Sequence, residues 1–313
     1  MKETKRKATT PSVYSFMGMF PNEESARTFI ENHLWGDSRI CPYCKSVKTY
    51  PRKNRSGYRC GDCKKDFSVR TGTIFENSRL PLHKWLFAIY MVVTARKGIS
   101  SLQISKELDI TQKSARFLLQ RIREACNSDS GVSLLSGVVE IDETYIGGIE
   151  KNKHSSKRTT GTQGRSLKTK VAVVGIKQRG GRVVAQSFGW LNSVEMQAYI
   201  YNNLESGTVI NTDKARFYRP IKAYKKMVVN HSIAEYVNGV ASTKGIENVW
   251  AVLKRGYYGT FHHFSKKHID RYVNEFTFRL NEGNCQIDTI DRIRSLLVRG
   301  AKSKTMTYKE LIA

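Results

Sequence analysis

The chain has 313 residues, 40% of them apolar, which is enough to bury a core and to fill two or three domains. Lysine and arginine total 53 against 27 aspartates and glutamates, and the resulting charge of +26 suits a polyanionic partner. No apolar run is long enough to span a bilayer, residues 1–7 lead into no signal-peptide core, and the basic residues are spread along the chain. The expectation is a cytoplasmic protein that binds nucleic acid and no membrane.

An N-terminal helical segment, residues 1–36, holds one helix over 22–32, with Asn22 as its cap. Six cysteines follow in the chain, and four of them form two C-x-x-C pairs, Cys41 with Cys44 and Cys60 with Cys63. Each tight turn aims two sulfurs at one point, which is how thiolates hold tetrahedral zinc. Two disulfides would need an oxidising compartment, and nothing in the chain points to one. Residues 37–72 are therefore expected to form a zinc ribbon, with short strands at 48–52, 57–59 and 64–69. Four sulfurs leave the metal no open position, so its role is structural. Cys126 and Cys285 lack partner spacing and are expected to be packed thiols.

Residues 78–128 are predicted to be helical. Pro81 opens a helix carrying Trp85, Leu86, Ile89, Tyr90 and Val93 at helical spacing, which ends near Gly98. A helix over 100–108, a turn at Asp109, Ile110 and Thr111, and a longer helix over 112–125 outline a helix-turn-helix. A plain helical hairpin has the same outline, but the basic charge and the neighbouring ribbon favour DNA. Gln112, Lys113, Arg116, Arg121 and Arg123 are the candidate DNA contacts.

From Val138 the pattern alternates between strands and helices, placing a boundary within 127–136. Val138, Val139 and Ile141 suit a buried strand that leaves the core at Asp142, ahead of a Gly147-Gly148 turn. Residues 151–170 are basic and poor in apolar residues, so a mobile loop is expected; its Lys157 and Arg158 either grip DNA phosphates or stand idle in solvent. Strands at 170–176 and 182–188 flank an Arg179-Gly180-Gly181 turn, and Ser193 caps a helix to Asn203. Another apolar strand, from Thr208, ends on Asp213, and a helix to Tyr224 and a strand at 227–229 follow. Two strand-ending aspartates side by side would offer oxygen ligands to a hard cation.

Three strands, a helix, a strand, a helix, a strand and then helices is the order used by the ribonuclease-H-like fold. The expected architecture is therefore multidomain α/β: zinc ribbon, helix-turn-helix segment, and a ribonuclease-H-like catalytic domain over 137–284. A third ligand should follow on a later helix. In the helix over 245–255, Ile246, Val249, Trp250 and Leu253 form one apolar stripe. Glu247 and Lys254 lie along its edge, while Asn248 projects away.

These residues carry a family resemblance. The run Asp142-Glu143-Thr144-Tyr145-Ile146-Gly147-Gly148, then Thr212-Asp213, Ile246-Glu247 with Trp250 and Lys254, and Gly259-Thr260-Phe261-His262-His263-Phe264 resemble bacterial insertion-sequence transposases of the zinc-ribbon, DDE-type group. The resemblance runs from the ribbon to about Asn281. It implies a catalytic domain that cuts transposon-end DNA and then joins the freed 3′-hydroxyl to target DNA. The ligands would be Asp142, Asp213 and Glu247, holding two Mg²⁺ or Mn²⁺ ions about 4 Å apart, with Lys254 steadying the scissile phosphate. It also implies a homodimer or larger synaptic assembly on double-stranded DNA.

One departure stands out: where many members carry an asparagine ahead of the Ile-Glu pair, this chain reads Ser242-Thr243-Lys244. Lysine cannot ligate a cation, so the third ligand falls to Glu247, by helix geometry, or to Asn248, or this copy is impaired. The alternatives are a DNA-binding regulator with an inactive catalytic domain and a branched-DNA nuclease. The tail over 285–313, with Ile290, Ile293, Leu296 and Leu297 at helical spacing, is expected either to pack on the core or to form a partner contact.

Overall fold

The computed structural model describes residues 8–53, 57–127, 133–148, 150–161, 166–213, 218, 223–228, 237–238, 241–303 and 305–312. Ser12 accepts a hydrogen bond from the Ser15 N–H and starts α1 (Val13–Met19). Asn22 caps α2 (Glu23–Trp35) in a reciprocal box with Ser25. The ribbon is an antiparallel three-stranded sheet of β1 (Thr49–Pro51), β2 (Tyr58–Cys60) and β3 (Asp66–Phe67), the first and last shorter than the sequence suggests and β2 shifted by one residue. It is fastened to α2 by Tyr58, whose hydroxyl donates to Glu31 at 2.6 Å and whose ring lies 3.4 Å under the Arg39 guanidinium.

The helical segment holds the three expected helices, the first ending at Thr94, short of Gly98. Pro81 precedes α3 (Leu82–Thr94), Ser100 caps α4 (Ser101–Leu108), and Asp109 ends α4 in the left-handed region (φ 49°). Thr111 then caps α5 (Gln112–Ala125). A left-handed residue between two N-capped helices makes the sharp bend of a helix-turn-helix.

The second half of the chain builds a five-stranded sheet from β4 (Val138–Ile146), β5 (Val171–Gln178), β6 (Val183–Phe188), β7 (Val209–Thr212) and β8 (Lys225–Val228), with α6 (Ser193–Asn203) inserted after β6. Its order is β6-β5-β4-β7-β8; β5 is antiparallel to β4 and β6, while β7 and β8 run parallel to β4. That arrangement is ribonuclease-H-like. A two-residue ribbon, β9 (Val237–Asn238) with β10 (Ala241–Ser242), leads into α7 (Lys244–Gly256) and α8 (Ile269–Leu280). Strand alternation divides the core. Val139, Ile141, Val174 and Ile176 pack against Met196 and Ile200 of α6, whereas Ile146, Val171 and Val173 pack against Ile246, Val249, Trp250 and Leu253 of α7.

Several expectations change. The strand does not leave the core at Asp142: β4 continues to Ile146, because Thr144, Tyr145 and Ile146 pair with β5 as far as Val171. Asn192, not Ser193, caps α6, accepting from the Glu195 N–H at 2.8 Å. The basic segment is partly shaped: Glu150 accepts from Lys153 and from the Thr159 N–H, and the short helical turns Glu150–Asn152 and Ser155–Lys157 form around it. Residues 162–165 of that segment and most of the expected helix to Tyr224 lie outside the described residues.

The tail is not an independent segment. α9 (Thr289–Lys302) packs on α2, α3 and α5, burying Ile293, Leu296 and Leu297, and the short α10 (Tyr308–Ile312) touches α5. Arg292 is also buried, donating to the Val93 carbonyl at 2.6 Å. The chain thus divides into two units, residues 1–130 with 282–313, and residues 131–281. The ribbon, the helix-turn-helix and the tail share the first unit, and the sheet forms the second.

Candidate active site and zinc centre

In the ribbon, Cys41, Cys44, Cys60 and Cys63 bring one sulfur each within 4.8 Å of all the others. The Cys41–Cys63 and Cys44–Cys60 sulfurs lie 3.7 and 3.5 Å apart. Four Zn–S bonds of about 2.3 Å in a tetrahedron require sulfur separations of roughly 3.8 Å, so the cluster fits zinc. Lys45 and Lys64, each just past the second cysteine of a pair, adopt left-handed φ angles of 63° and 60°. That conformation costs a non-glycine residue roughly 1–2 kcal/mol, a strain that closing the knuckle around a metal offsets. Backbone N–H groups of Cys63 and Asp62 hold the Cys60 thiol down at about 6. Cys44 is pushed up to about 12: a backbone hydrogen bond with Ser46 lowers it, but burial and the other three thiols outweigh that.

The acidic site is assembled by the parallel pairing of β4 and β7. Their register pairs Val138 with Val209 and Glu140 with Asn211. Continued two residues further, it sets Asp213 beside Asp142. Since β7 stops at Thr212, β4 beyond Glu140 has a strand partner on the β5 side only among the described residues, and the acids meet at the other side. Asp142, Asp213 and Glu143 place one carboxylate oxygen each within 4.8 Å of the others. Both aspartates are half-buried. Burial is the main cause that raises Asp142 to about 6; the Glu143 backbone N–H opposes the rise, and the charges of Asp213 and Glu247 add to it. Carboxylates crowded in this way repel one another unless a cation neutralises them, and an all-oxygen set suits a hard divalent ion.

Sequence reasoning misses Glu143. Strand alternation directs it to the α6 face, opposite Asp142, where it is 8% exposed and accepts a hydrogen bond from the Tyr218 hydroxyl at 3.2 Å. Burial and the same three carboxylates push the Tyr218 phenol well above its ordinary value. The one signal for it in the chain is the adjacent Asp-Glu pair, and the period-2 rule argues against that signal.

Glu247 sits in the first turn of α7, close enough to Asp142 to raise its pKa but outside the 4.8 Å group among the described residues. Its Oε1 accepts from the Thr243 hydroxyl at 2.9 Å. Trp250, one turn on, has no hydrogen bond of good geometry from its buried indole nitrogen, yet lies near enough to Asp142 to favour the ionised form. Gly175, paired with Asp142 across the sheet, makes room for that ring: a Cβ there would come within 2.6 Å of Trp250 Cη2. Asn248 and Lys254 are exposed, and so are His262 and His263.

The DNA-contact candidates divide. Gln112, Lys113 and Arg116 are exposed at the start of α5; Gln112 Nε2 donates to the Ser101 hydroxyl, and Lys113 Nζ lies 4.7 Å over the Tyr308 ring. Arg121 and Arg123 are each only 3% exposed, which corrects their assignment as DNA contacts. α3 and α9 pack on α5, and Arg121 donates to the Glu76 carbonyl at 2.7 Å and stacks on Trp85 and Phe117. Lys157 and Arg158 are exposed, with Arg158 Nε donating to the Lys153 carbonyl at 3.0 Å. Among the described residues, no helix is long and apolar enough to cross a membrane.

Comparison with known proteins places these features. Residues 134–281, nearly the whole sheet-bearing unit, match the ISXO2-like transposase domain, and residues 21–66 match the transposase zinc-ribbon domain. The chain is 28% identical over 274 residues to the uncharacterized protein in transposable element ISH50 of Halobacterium salinarum, covering 83% of this chain and 91% of that protein. A chain of the simian T-cell lymphotropic virus intasome in complex with PP2A regulatory subunit B56 gamma aligns at 13% identity and a TM-score of 0.33, over 66% of this chain and 74% of its own. The Mos1 transposase paired-end complex with left transposon end aligns at 12% identity and 0.25, over 62% and 74%. Scores this low add nothing to the fold assignment, which stands on strand order. The two matched domains, in this order on one chain, together with the ISH50 relative, make the protein a member of the zinc-ribbon, DDE-type group of insertion-sequence transposases.

Proposed function

We propose that this transposase binds transposon ends as double-stranded DNA, hydrolyses a strand there, and joins the freed 3′-hydroxyl to target DNA at a site made by Asp142, Asp213 and Glu247. The observation that carries the reading is the meeting of Asp142 and Asp213, 71 positions apart in the chain, on the β7 side of β4. Magnesium or manganese, as a pair of ions, would supply Lewis-acid activation of the attacking oxygen and neutralise charge at the leaving oxygen.

The residues of the chain do the rest. Asp142, at about 6, is mostly ionised at neutral pH and therefore available as a ligand. Thr243 orients Glu247, and Tyr218 holds Glu143 as a fourth carboxylate at the same centre. Trp250, buried against the sheet, approaches Asp142 from α7 and favours its ionised form. Lys254, exposed in the last turn of α7, supplies positive charge for the scissile phosphate. Gln112, Lys113 and Arg116 present the accessible face of α5 to a major groove, with Lys157 and Arg158 as phosphate contacts. Zinc in the ribbon is structural. Two transposon ends must be held together, so the working form is a homodimer or larger synaptic assembly.

The test is incubation of the purified chain with labelled end DNA in Mg²⁺ or EDTA. Metal-dependent nicking and joining that Asp142→Ala abolishes is the expected result. Binding without cleavage under any metal would mark a DNA-binding regulator instead, and cutting of branched DNA without joining would mark a nuclease.

A further inference from the structure

One buried carboxylate has no part in the chemistry above. Glu140 lies two residues before Asp142 on the same face of β4 and is 4% exposed. The N-cap residue of α7 makes no capping bond, its Thr243 hydroxyl being turned to Glu247, while Ser242 Oγ ahead of it accepts from the Lys244 N–H at 3.3 Å. A carboxylate from the sheet takes a further first-turn donor, for Glu140 Oε2 accepts from the Ile246 N–H at 3.0 Å. Its other oxygen accepts from Arg179 Nε at 3.2 Å, and Arg179 Nη2 lies 3.5 Å from the Ser242 carbonyl just ahead of the helix. The approach depends on Gly245, where a Cβ would stand 2.7 Å from Glu140 Oε2.

We propose that Glu140 is a positioning residue: by anchoring the Ile246 N–H to the sheet, with Arg179 as its counter-charge, it fixes where α7 holds Glu247 and Trp250 against Asp142. A negative group is favoured at a helix N-terminus by the free N–H groups and the helix dipole. The anchor is one residue from Glu247 and one turn from Trp250, so a shift at Ile246 moves both. This proposal rests on the reading of Asp142, Asp213 and Glu247 as cation ligands.

The test uses the full chain and four variants: Glu140→Ala, Glu140→Gln, Gly245→Ala and Glu247→Ala. Two quantities are measured, Mn²⁺ affinity by electron paramagnetic resonance titration and amide hydrogen exchange across residues 243–250. Glu140→Ala is expected to speed exchange in the first turn of α7 by about tenfold, the size of a lost cap, and to weaken Mn²⁺ binding to the level of Glu247→Ala. Glu140→Gln keeps an acceptor oxygen and should stay within about twofold of wild type on both. Gly245→Ala improves intrinsic helix propensity, so weaker Mn²⁺ binding in that variant supports the anchor and excludes general destabilisation; it carries the test if Glu140→Ala does not fold.

Unchanged exchange in Glu140→Ala overturns the proposal, as does wild-type Mn²⁺ affinity in Glu140→Ala where Glu247→Ala is weakened. Wild-type affinity in Glu247→Ala overturns the ligand reading instead. Exchange then decides Glu140 by itself: protection lost in Glu140→Ala and kept in Glu140→Gln upholds the anchor, and any other pattern removes it.

Discussion

Asp142 is where the fold and the proposed chemistry conflict most, and Asp142→Asn measures the conflict. The carboxyl is raised from 3.8 to about 6 in the folded chain, a rise of about 2 pH units. At about 1.4 kcal/mol per unit, the charged group costs the folded state roughly 3 kcal/mol above pH 6 when no cation is bound. The sign follows from proton binding. Between pH 4 and 6 the folded state holds the proton more tightly than the unfolded state, so stability falls as pH rises through that window. Asparagine keeps the shape and removes the charge. Asp142→Asn in EDTA at pH 7.5 should therefore melt roughly 6–12 °C above wild type, at about 2–4 °C per kcal/mol for a unit of this size. At pH 4, where the folded carboxyl is protonated and the unfolded one is about half protonated, the gap should nearly close. Millimolar Mg²⁺ should raise the wild-type melting temperature and leave the variant nearly unchanged, because a ligand stabilises only the form that binds it. Thermal melts followed by circular dichroism at the two pH values, with and without Mg²⁺, give all these comparisons. A variant no more stable than wild type at pH 7.5, or equally stabilised at both pH values, would refute the claim that Asp142 is a desolvated, repelled carboxylate.

Cys60→Ser should lower bound zinc, measured by elemental mass spectrometry, from about one per chain to near none and destabilise the ribbon, because three thiolates and a hydroxyl make a much weaker site. Arg121→Ala should cost roughly 2–4 kcal/mol in stability through lost packing and an orphaned carbonyl, whereas Arg116→Ala should leave the melting temperature unchanged, weaken DNA binding and reduce its salt slope by about one. Equal loss of DNA affinity in two well-folded variants would contradict the burial of Arg121. Gly175→Ala drives a methyl into Trp250 and should cost about 1–3 kcal/mol by overpacking; denaturant unfolding that shows no loss would mean that the ring does not lie on the sheet at that point.

Features set by neighbours a few residues apart are legible in the amino-acid sequence. The paired cysteines, the Asn22 cap, the Arg179-Gly180-Gly181 turn and the apolar stripe of α7 depend on local geometry alone. Local patterns mislead where a distant segment decides. Arg121 and Arg123 read as groove contacts because helix periodicity knows nothing of α9, whose residues come more than 160 positions later and pack on the same helix. The strand reads as ending at Asp142 because an acid is a poor core residue; β5 supplies the pairing that carries it to Ile146. Glu143 escapes notice because alternation sends it to the opposite face, yet its carboxylate still reaches the point where Asp142 and Asp213 meet.

The chain's own letters determined its parts: a four-thiolate ribbon, two helices around a tight turn, an order of strands and helices, and two aspartates in matching settings. Tertiary structure decided what those parts add up to. Register between β4 and β7 brings the acids together, α7 docks on Glu140, and the tail joins the first unit. The reason is physical: caps and turns are satisfied by atoms within one turn of chain, whereas a cluster of like charges forms only where long-range pairing and burial elsewhere outweigh its repulsion.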